Sequence, residues 1–299
     1  MSGERSKKLP WLMLVPAIAV LLVLGVFPLI YSAWLSLHSY SLLDPSRGIN
    51  YVGGENFLNT LTSGHPLGIS FPKSLWLTLI YLGGCLAGEV GIGLLAAMLF
   101  SGEHRRGLRS LRILMMMPML LAPVVVGNIW RYMYQYSFGL LNFLLRTVGL
   151  PAPEWLARPT WAMISLIMAD VWEWIPFSFL VLLAAILSIP QDQWEAANID
   201  GAGAWQRFRY IMLPWTKHAF LVIILIRGID LIRVMDLPYV ITYGGPAVST
   251  SVLPFNAYML GFRYFEIGHA AAYAYLMLAL INVFVILFIN VLRRRPENA

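Results

Sequence analysis

The sequence predicts an all-α polytopic membrane protein with six spanning helices, on three observations. The 299 residues are 59% apolar and only 12% charged, about half the roughly 25% charge of a soluble domain. The stretch from Leu9 to Leu43 contains no Asp, Glu, Lys or Arg. Six runs reach the ~20 apolar residues that a helix needs to cross a bilayer: Trp11–Leu37, Ser74–Phe100, Leu111–Tyr134, Thr160–Leu187, His218–Asp236 and Phe265–Leu292. The runs are too long for barrel strands and lack the period-2 alternation of a barrel wall.

The first run far exceeds the ~7–15 apolar residues of a signal peptide and is followed by no small-residue cleavage site, so it is expected to remain as the first span. Orientation follows from the Lys and Arg of the connections. With the N-terminus inside, thirteen lie on the inner side and six on the outer. The inner set is Arg5, Lys7, Lys8; Arg105, Arg106, Arg109, Arg112; Arg207, Arg209, Lys217; and Arg293, Arg294, Arg295. The outer set is Arg47, Lys73, Arg131, Arg146, Arg158 and Arg263. Both termini are therefore expected in the cytoplasm, with residues 1–299 forming one transmembrane domain. Of the outer connections, Ser39–Lys73 is rich in Gly, Asn, Ser and Pro, and Gln135–Pro159 carries a short surface helix at Leu140–Leu145. Leu237–Phe262, uncharged and broken by Tyr243-Gly244-Gly245-Pro246, is expected to tuck against the outer mouth.

Several chemistries lack their residues. None of the four lysines follows a glycine, so no phosphate-cradling loop exists. The five histidines form no HExxH, and no Gly-x-Ser-x-Gly elbow occurs. Cys85, the only cysteine, excludes a disulfide framework and a multi-cysteine metal site. No catalytic residue, metal site or cofactor is therefore expected in this chain. What remains is a path through the membrane, powered or gated by something else.

The inner connection 188–217 reads as a short helix, a glycine break and a second short helix. Ser188 or Asp192 is expected to cap the first helix and Gly201 to end it. Trp194, Ala197 and Ile199 give it an apolar side, and Pro214 marks the return to the membrane. Such a compact, partly apolar inner loop suits docking onto a cytosolic partner.

Glu195-Ala196-Ala197, Gly201 and Ile211-x-Leu213-Pro214 resemble the EAA loop of binding-protein-dependent ABC importer permeases in residues and spacing. Pro28-Leu29-Ile30-Tyr31-Ser32 with Trp34-Leu35-Ser36, the approach Leu183–Pro190, and the run Arg227, Asp230, Arg233, Asp236 followed by Tyr239, Thr242 and Gly244-Gly245-Pro246 resemble the carbohydrate-uptake members, of maltose and trehalose type and six-span form. The resemblance implies a type I ABC importer permease fold in a bacterial or archaeal cytoplasmic membrane. It also implies that Glu195, Ala196, Ala197, Asp200, Gly201, Leu213 and Pro214 couple the chain to an ATPase. The implied partners are a second homologous permease, a dimer of ABC ATPase subunits that holds ATP and Mg, an extracytoplasmic solute-binding protein, and membrane lipid, with no nucleic acid. Importers of polyols or glycerol phosphate share this scaffold. An ATP-independent secondary carrier is the reading from another class; it has the intramembrane charges on its side, and the coupling loop and the lack of an inverted repeat against it.

Ionisable groups within a bilayer are costly and therefore candidates for function. At ~1.5 Å per residue from His218, Arg227 sits about 14 Å up, near the middle of a core about 30 Å thick. Arg227 and Asp230, one turn apart, are candidates for binding sugar hydroxyls, and can also neutralise each other. Arg233 and Asp236 read as a structural continuation of the ladder. In the fourth run Pro176 removes the donor for the Trp172 carbonyl, and Trp172 and Glu173 are pathway candidates, since a carboxylate beside the two indoles Trp172 and Trp174 suits a sugar; the alternative is helix packing around a kink, with Trp174 facing lipid. Glu89, alone in the second run, needs an Arg of the fifth as partner. Gly84 and Gly88 permit close helix approach. Asn128 is a further pathway candidate, and Trp130, Tyr132, Tyr134 and Tyr136 suit an interfacial aromatic belt.

Overall fold

The computed structural model describes residues 13–62, 70–101 and 108–293. Arg5, Lys7, Lys8, Arg105, Arg106, Arg294 and Arg295 of the inner set, and Trp11, lie outside those residues.

Among the described residues the elements follow in order. Helix α1 is Met13–Ser36. Its wide turn at Leu22–Val26 precedes Pro28, which has no N–H to offer the Leu24 carbonyl. Strands β1, His38–Ser39, and β2, Asn50–Tyr51, form a two-residue antiparallel ladder, a small departure from the all-α expectation. Then come α2, Glu55–Thr62; α3, Phe71–Phe100; α4, Leu108–Met116; α5, Pro123–Met133; and α6, Leu140–Thr147. Helix α7 is Pro159–Leu187, α8 is Gln191–Ile199, α9 is Ala204–Arg207 and α10 is Leu213–Arg233. The chain closes with α11, Leu253–Tyr258, and α12, Ile267–Arg293.

Four of these are long and apolar enough to cross a membrane: α1, α3, α7 and Ile267–Asn290 within α12. Two expected spans differ from their prediction. The run Leu111–Tyr134 is not one helix, because Pro118 and Pro123 interrupt it. Helix α4 stops at Met116, a 3-10 turn covers Pro118–Leu120, and α5 begins after the extended Ala122. The run His218–Asp236 ends early as a helix. Val234 is extended (φ −65°, ψ 128°), so α10 stops at Arg233 and Asp236 lies beyond the break. The charge ladder therefore loses its helical spacing after Arg233.

The chain divides into two compact units, residues 1–71 with 256–279 and residues 72–255 with 280–299. In the first, buried Asn56 of α2 donates from Nδ2 to the carbonyls of Ser36 and His38, at 2.8 and 2.9 Å, and holds the end of α1. Gly268 packs against the same turn, where any Cβ would fall 2.2 Å from the His38 carbonyl.

In the second unit α7 is the central helix: 56% of its apolar window is buried, against 0% for that of α1. Three small-residue contacts seat α3 against it. A Cβ on Gly84 would meet Ile167 at 2.6 Å, one on Gly88 would meet Val171 at 2.7 Å, and one on Gly93 would meet Ser178 at 2.8 Å. Both numberings rise together, so α3 and α7 run parallel. Helix α10 runs antiparallel to α7, since Arg227 meets Asp170 while the earlier Ile223 and Met212 pack with Phe179, Leu182 and Ile186. That apolar cluster gathers the ends of α3 and α7, the start of α10 and residues Ile189 and Met212 of the loop between them.

Candidate functional site

A polar cluster lies within this apolar packing. On α3 the buried stripe Ser74, Thr78, Tyr81, Cys85 and Glu89 repeats at three- and four-residue steps, which places it on one helix face. Helix α7 brings Asp170, Glu173 and Trp174, and α10 brings Arg227 and Asp230. Arg227, 2% exposed, donates from Nε and Nη2 to the two oxygens of Glu89, 0% exposed, at 2.8 Å each. Nη2 also donates to Asp170 Oδ1 at 2.5 Å. The Tyr81 hydroxyl donates to Asp170 Oδ2 at 2.8 Å. The Trp174 ring covers the guanidinium, 4.2 Å from centroid to Cζ, as a cation–π contact. A fork of planar donors against a carboxylate is the strongest form of such a pair, and a buried charge without it would be costly. Cys85, Glu89 and Asp170 offer ligand atoms within 4.8 Å of one another, but Arg227 already engages both carboxylates.

A cavity of about 300 Å³ opens beside the cluster, lined by Asp170, Glu173, Trp174, Arg227, Asp230, Arg233 and Asp236, with Pro123, Val234 and Leu237. Glu173 is 2% exposed, and no hydrogen bond reaches its carboxylate among the described residues. Asp230 is half-exposed and its Oδ2 lies 3.9 Å from Arg227 Nη1.

The expected site residues fall into distinct places. Glu89 meets Arg227, an arginine of the fifth run. Arg227 and Asp230 are within reach of each other, but Glu89 and Asp170, not Asp230, hold the guanidinium. Glu173, Arg227, Asp230, Arg233 and Asp236 share the cavity wall. Trp172 does not line it. Its ring meets Trp130 edge-on at 5.8 Å, and the indole in the cavity belongs to Trp174, two residues on and so on the opposite side of the helix. Trp174, which the packing alternative turned to lipid, faces Arg227. Asn128, exposed, spends its Nδ2 on the Val124 carbonyl of its own helix at 2.8 Å. The aromatic belt divides by burial: Tyr132 and Tyr136 are exposed, whereas Trp130 and Tyr134 are buried, with the Tyr134 hydroxyl donating to the Ser165 carbonyl at 2.7 Å.

The loop 188–217 folds as two short helices around Gly201. Neither Ser188 nor Asp192 caps α8. Pro190 occupies the N-cap position, and the Ser188 hydroxyl donates back to Ala185 in α7. Gly201, at φ +70°, ends α8. The Ala202 N–H donates to the Ala197 carbonyl and the Gly201 N–H to the Asn198 carbonyl, the paired bonds of a left-handed C-terminal cap. Arg207 Nε donates to the Ala202 carbonyl at 2.8 Å, and the Gly203 N–H to Gln206 Oε1 at 2.7 Å. Glu195, Ala196, Asp200 and Gly201 are exposed; Ala197 is buried. Ile199, Trp205 and Tyr210 are large apolar residues of the loop left exposed, Ile199 at 87%. Trp194 and Phe208 pack inward on the cluster at the helix ends. Leu213 and Pro214 form the first turn of α10, after a wide turn at Phe208–Met212.

Sequence reasoning did not single out three participants: Asp170, Tyr81 and Trp174. Asp170 carries a signal, standing one helical turn before Glu173. Tyr81 lies two turns before Glu89 on the same face. Nothing in the sequence distinguishes Trp174 from Trp172.

The chain matches the family described as binding-protein-dependent transport system inner membrane component over residues 89–298. It is 35% identical over 98% of its length, and 96% of the relative's, to the trehalose/maltose transport system permease protein MalF of Thermococcus litoralis. It is 29% identical, over 95% of its length and 90% of the relative's, to the sulfoquinovosyl glycerol transport system permease protein SmoG of Agrobacterium fabrum. A chain in the crystal structure of a bacterial alginate ABC transporter, in complex with an alginate pentasaccharide-bound periplasmic protein, superposes with a TM-score of 0.80 at 23% identity, covering 97% of this chain and 96% of that one.

Proposed function

Because the chain belongs to the family of inner membrane components of binding-protein-dependent transport systems, we propose that it forms half of the translocation pathway of an ATP-driven carbohydrate importer. The trehalose, maltose and sulfoquinovosyl glycerol of its relatives' names support the carbohydrate class. In this reading residues 1–299 act as one transmembrane domain in a bacterial or archaeal cytoplasmic membrane. They cross it six times, with α4 and α5 together as the third crossing and α10 as the fifth, and both termini are cytoplasmic. The parallel run of α3 with α7, and the antiparallel run of α10 with α7, fit that alternation. A second permease completes the pathway, and an external binding protein delivers the solute. ATP and Mg belong to a cytosolic ATPase dimer, so this chain is a transport subunit and not an enzyme.

One observation carries the proposal. Helices α7 and α10 supply most of the charged wall of the cavity, and the exposed loop 188–217 is the connection between those same two helices. Trp194 and Phe208 pin the loop to the apolar cluster at the ends of α3, α7 and α10, so a displacement of α8 loads the helices that line the cavity. ATP-driven closure of the ATPase dimer would act on the face that carries Glu195, Ala196, Asp200, Gly201 and exposed Ile199. Leu213 and Pro214 would pass the motion into α10, and Glu173, Arg227 and Asp230 would meet the solute. Nucleotide and solute shift the balance between the two openings only through their differential affinity for them. Gly201→Asp and Glu195→Lys test the loop. Both are expected to reach the membrane at normal abundance and to lose solute uptake. Normal uptake by both would overturn the coupling role.

A further inference from the structure

Family membership leaves the charge of the solute open: trehalose and maltose are neutral, and sulfoquinovosyl glycerol is a sulfonate. On the reading of the cavity as the pathway, we infer that this chain admits uncharged polyhydroxy solutes and rejects anionic ones.

Four carboxylates, Asp170, Glu173, Asp230 and Asp236, line the cavity against two guanidiniums, Arg227 and Arg233. The more buried guanidinium is already committed. Arg227 gives Nε and Nη2 to Glu89, gives Nη2 again to Asp170, and has one face under Trp174. Only its Nη1 remains, with Asp230 at 3.9 Å. An anion entering here meets an excess of negative charge along the wall and finds no free arginine fork at its buried end, where Asp170 and Glu173 are withdrawn from water and like-charge contacts are screened least. That arrangement works against one class of solute as much as for another.

The acceptors left over define what is admitted. An ionised carboxylate only accepts hydrogen bonds. Glu173, 2% exposed, lines the cavity with no donor on its carboxylate among the described residues. A sugar or polyol hydroxyl both donates and accepts, so it pairs with Glu173 whether that carboxyl is charged or protonated. A uronate, sulfonate or phosphate group brings acceptors and a further negative charge in its place.

The test uses the complete permease–ATPase complex, purified in detergent without its binding protein, so that the binding protein's own preference does not enter. Equilibrium binding is measured for a panel of neutral mono- and disaccharides and polyols, each paired with its uronic acid or phosphate counterpart. At least one neutral member is expected to bind, at least tenfold tighter than its anionic counterpart. Asp236→Asn, at the exposed rim, and Glu173→Gln, at the buried wall, are expected to narrow that ratio. Equal or tighter binding of the anionic members overturns the inference and leaves the pathway reading standing. An unchanged ratio in both variants, each shown to be assembled, overturns it too. Binding of no member of the panel overturns the pathway reading and the inference with it.

Discussion

Removing Arg227 tests the polar cluster most severely. In Arg227→Met, Glu89 and Asp170 remain buried and face each other with no positive charge between them. Glu89 loses both of its hydrogen bonds, at 2.8 Å each. Asp170 keeps only the Tyr81 hydroxyl. Breaking a buried pair from one side costs about 3–5 kcal/mol, which is about two to four decades in a folding equilibrium. The loss of the Trp174 contact adds ~0.5–2 kcal/mol. Neutralising the carboxylates should reverse part of this. Glu89→Leu with Arg227→Leu leaves Asp170 with a single donor, so Asp170→Asn completes the neutral version. Measured by thermal unfolding of the detergent-purified complex, with membrane abundance alongside, the combined variant should recover ~1–3 kcal/mol relative to the sum of the single changes. Wild-type stability in Arg227→Met, or strict additivity of the combined variant, would refute the reasoning.

Other expectations follow from single contacts. Gly88→Val places its Cβ 2.7 Å from Val171 Cγ2 and should cost ~1–3 kcal/mol as overpacking; Gly91→Ala on the same helix, with nothing within 4 Å, should be tolerated in the same melt. Thr78→Val removes the hydroxyl that accepts the buried Leu253 N–H at 2.9 Å and should lower stability by ~1–3 kcal/mol. Gly201→Ala has open space around its Cβ but forces a side chain to φ +70°, a strain of ~1–2 kcal/mol that should show as weaker solute-stimulated ATP hydrolysis by the assembled complex.

The long uniform runs were legible because a bilayer demands length and apolarity and little else. Met13–Ser36, Phe71–Phe100 and Pro159–Leu187 fall close to their predicted bounds. Glycine placement was legible too: Gly201 ends α8, and Gly84 and Gly88 seat α3 on α7. The interruptions were not, because composition averages over them. Pro118 and Pro123 sit inside an apolar run, and Val234, an unremarkable residue, carries the extended backbone that ends α10. The need of Glu89 for an arginine followed from the cost of burying a charge, but its neighbours lie 81 and 138 residues away in the chain. Spacing within one helix therefore favoured the local pair Arg227–Asp230, whereas the fold supplies Glu89 and Asp170 at shorter distances. Trp172 and Trp174 share composition and neighbourhood, and only the direction of each side chain separates them.

The central claim is that solute movement through this chain is driven by a cytosolic ATPase acting on the loop 188–217. The direct measurement is solute uptake into proteoliposomes holding the complete complex and its binding protein, with ATP or an ion gradient supplied separately. The account predicts uptake with ATP and binding protein, none with a proton or sodium gradient alone, and loss of ATP-driven uptake in Gly201→Asp. Uptake driven by the gradient without ATP would contradict it and return the chain to the class of secondary carriers.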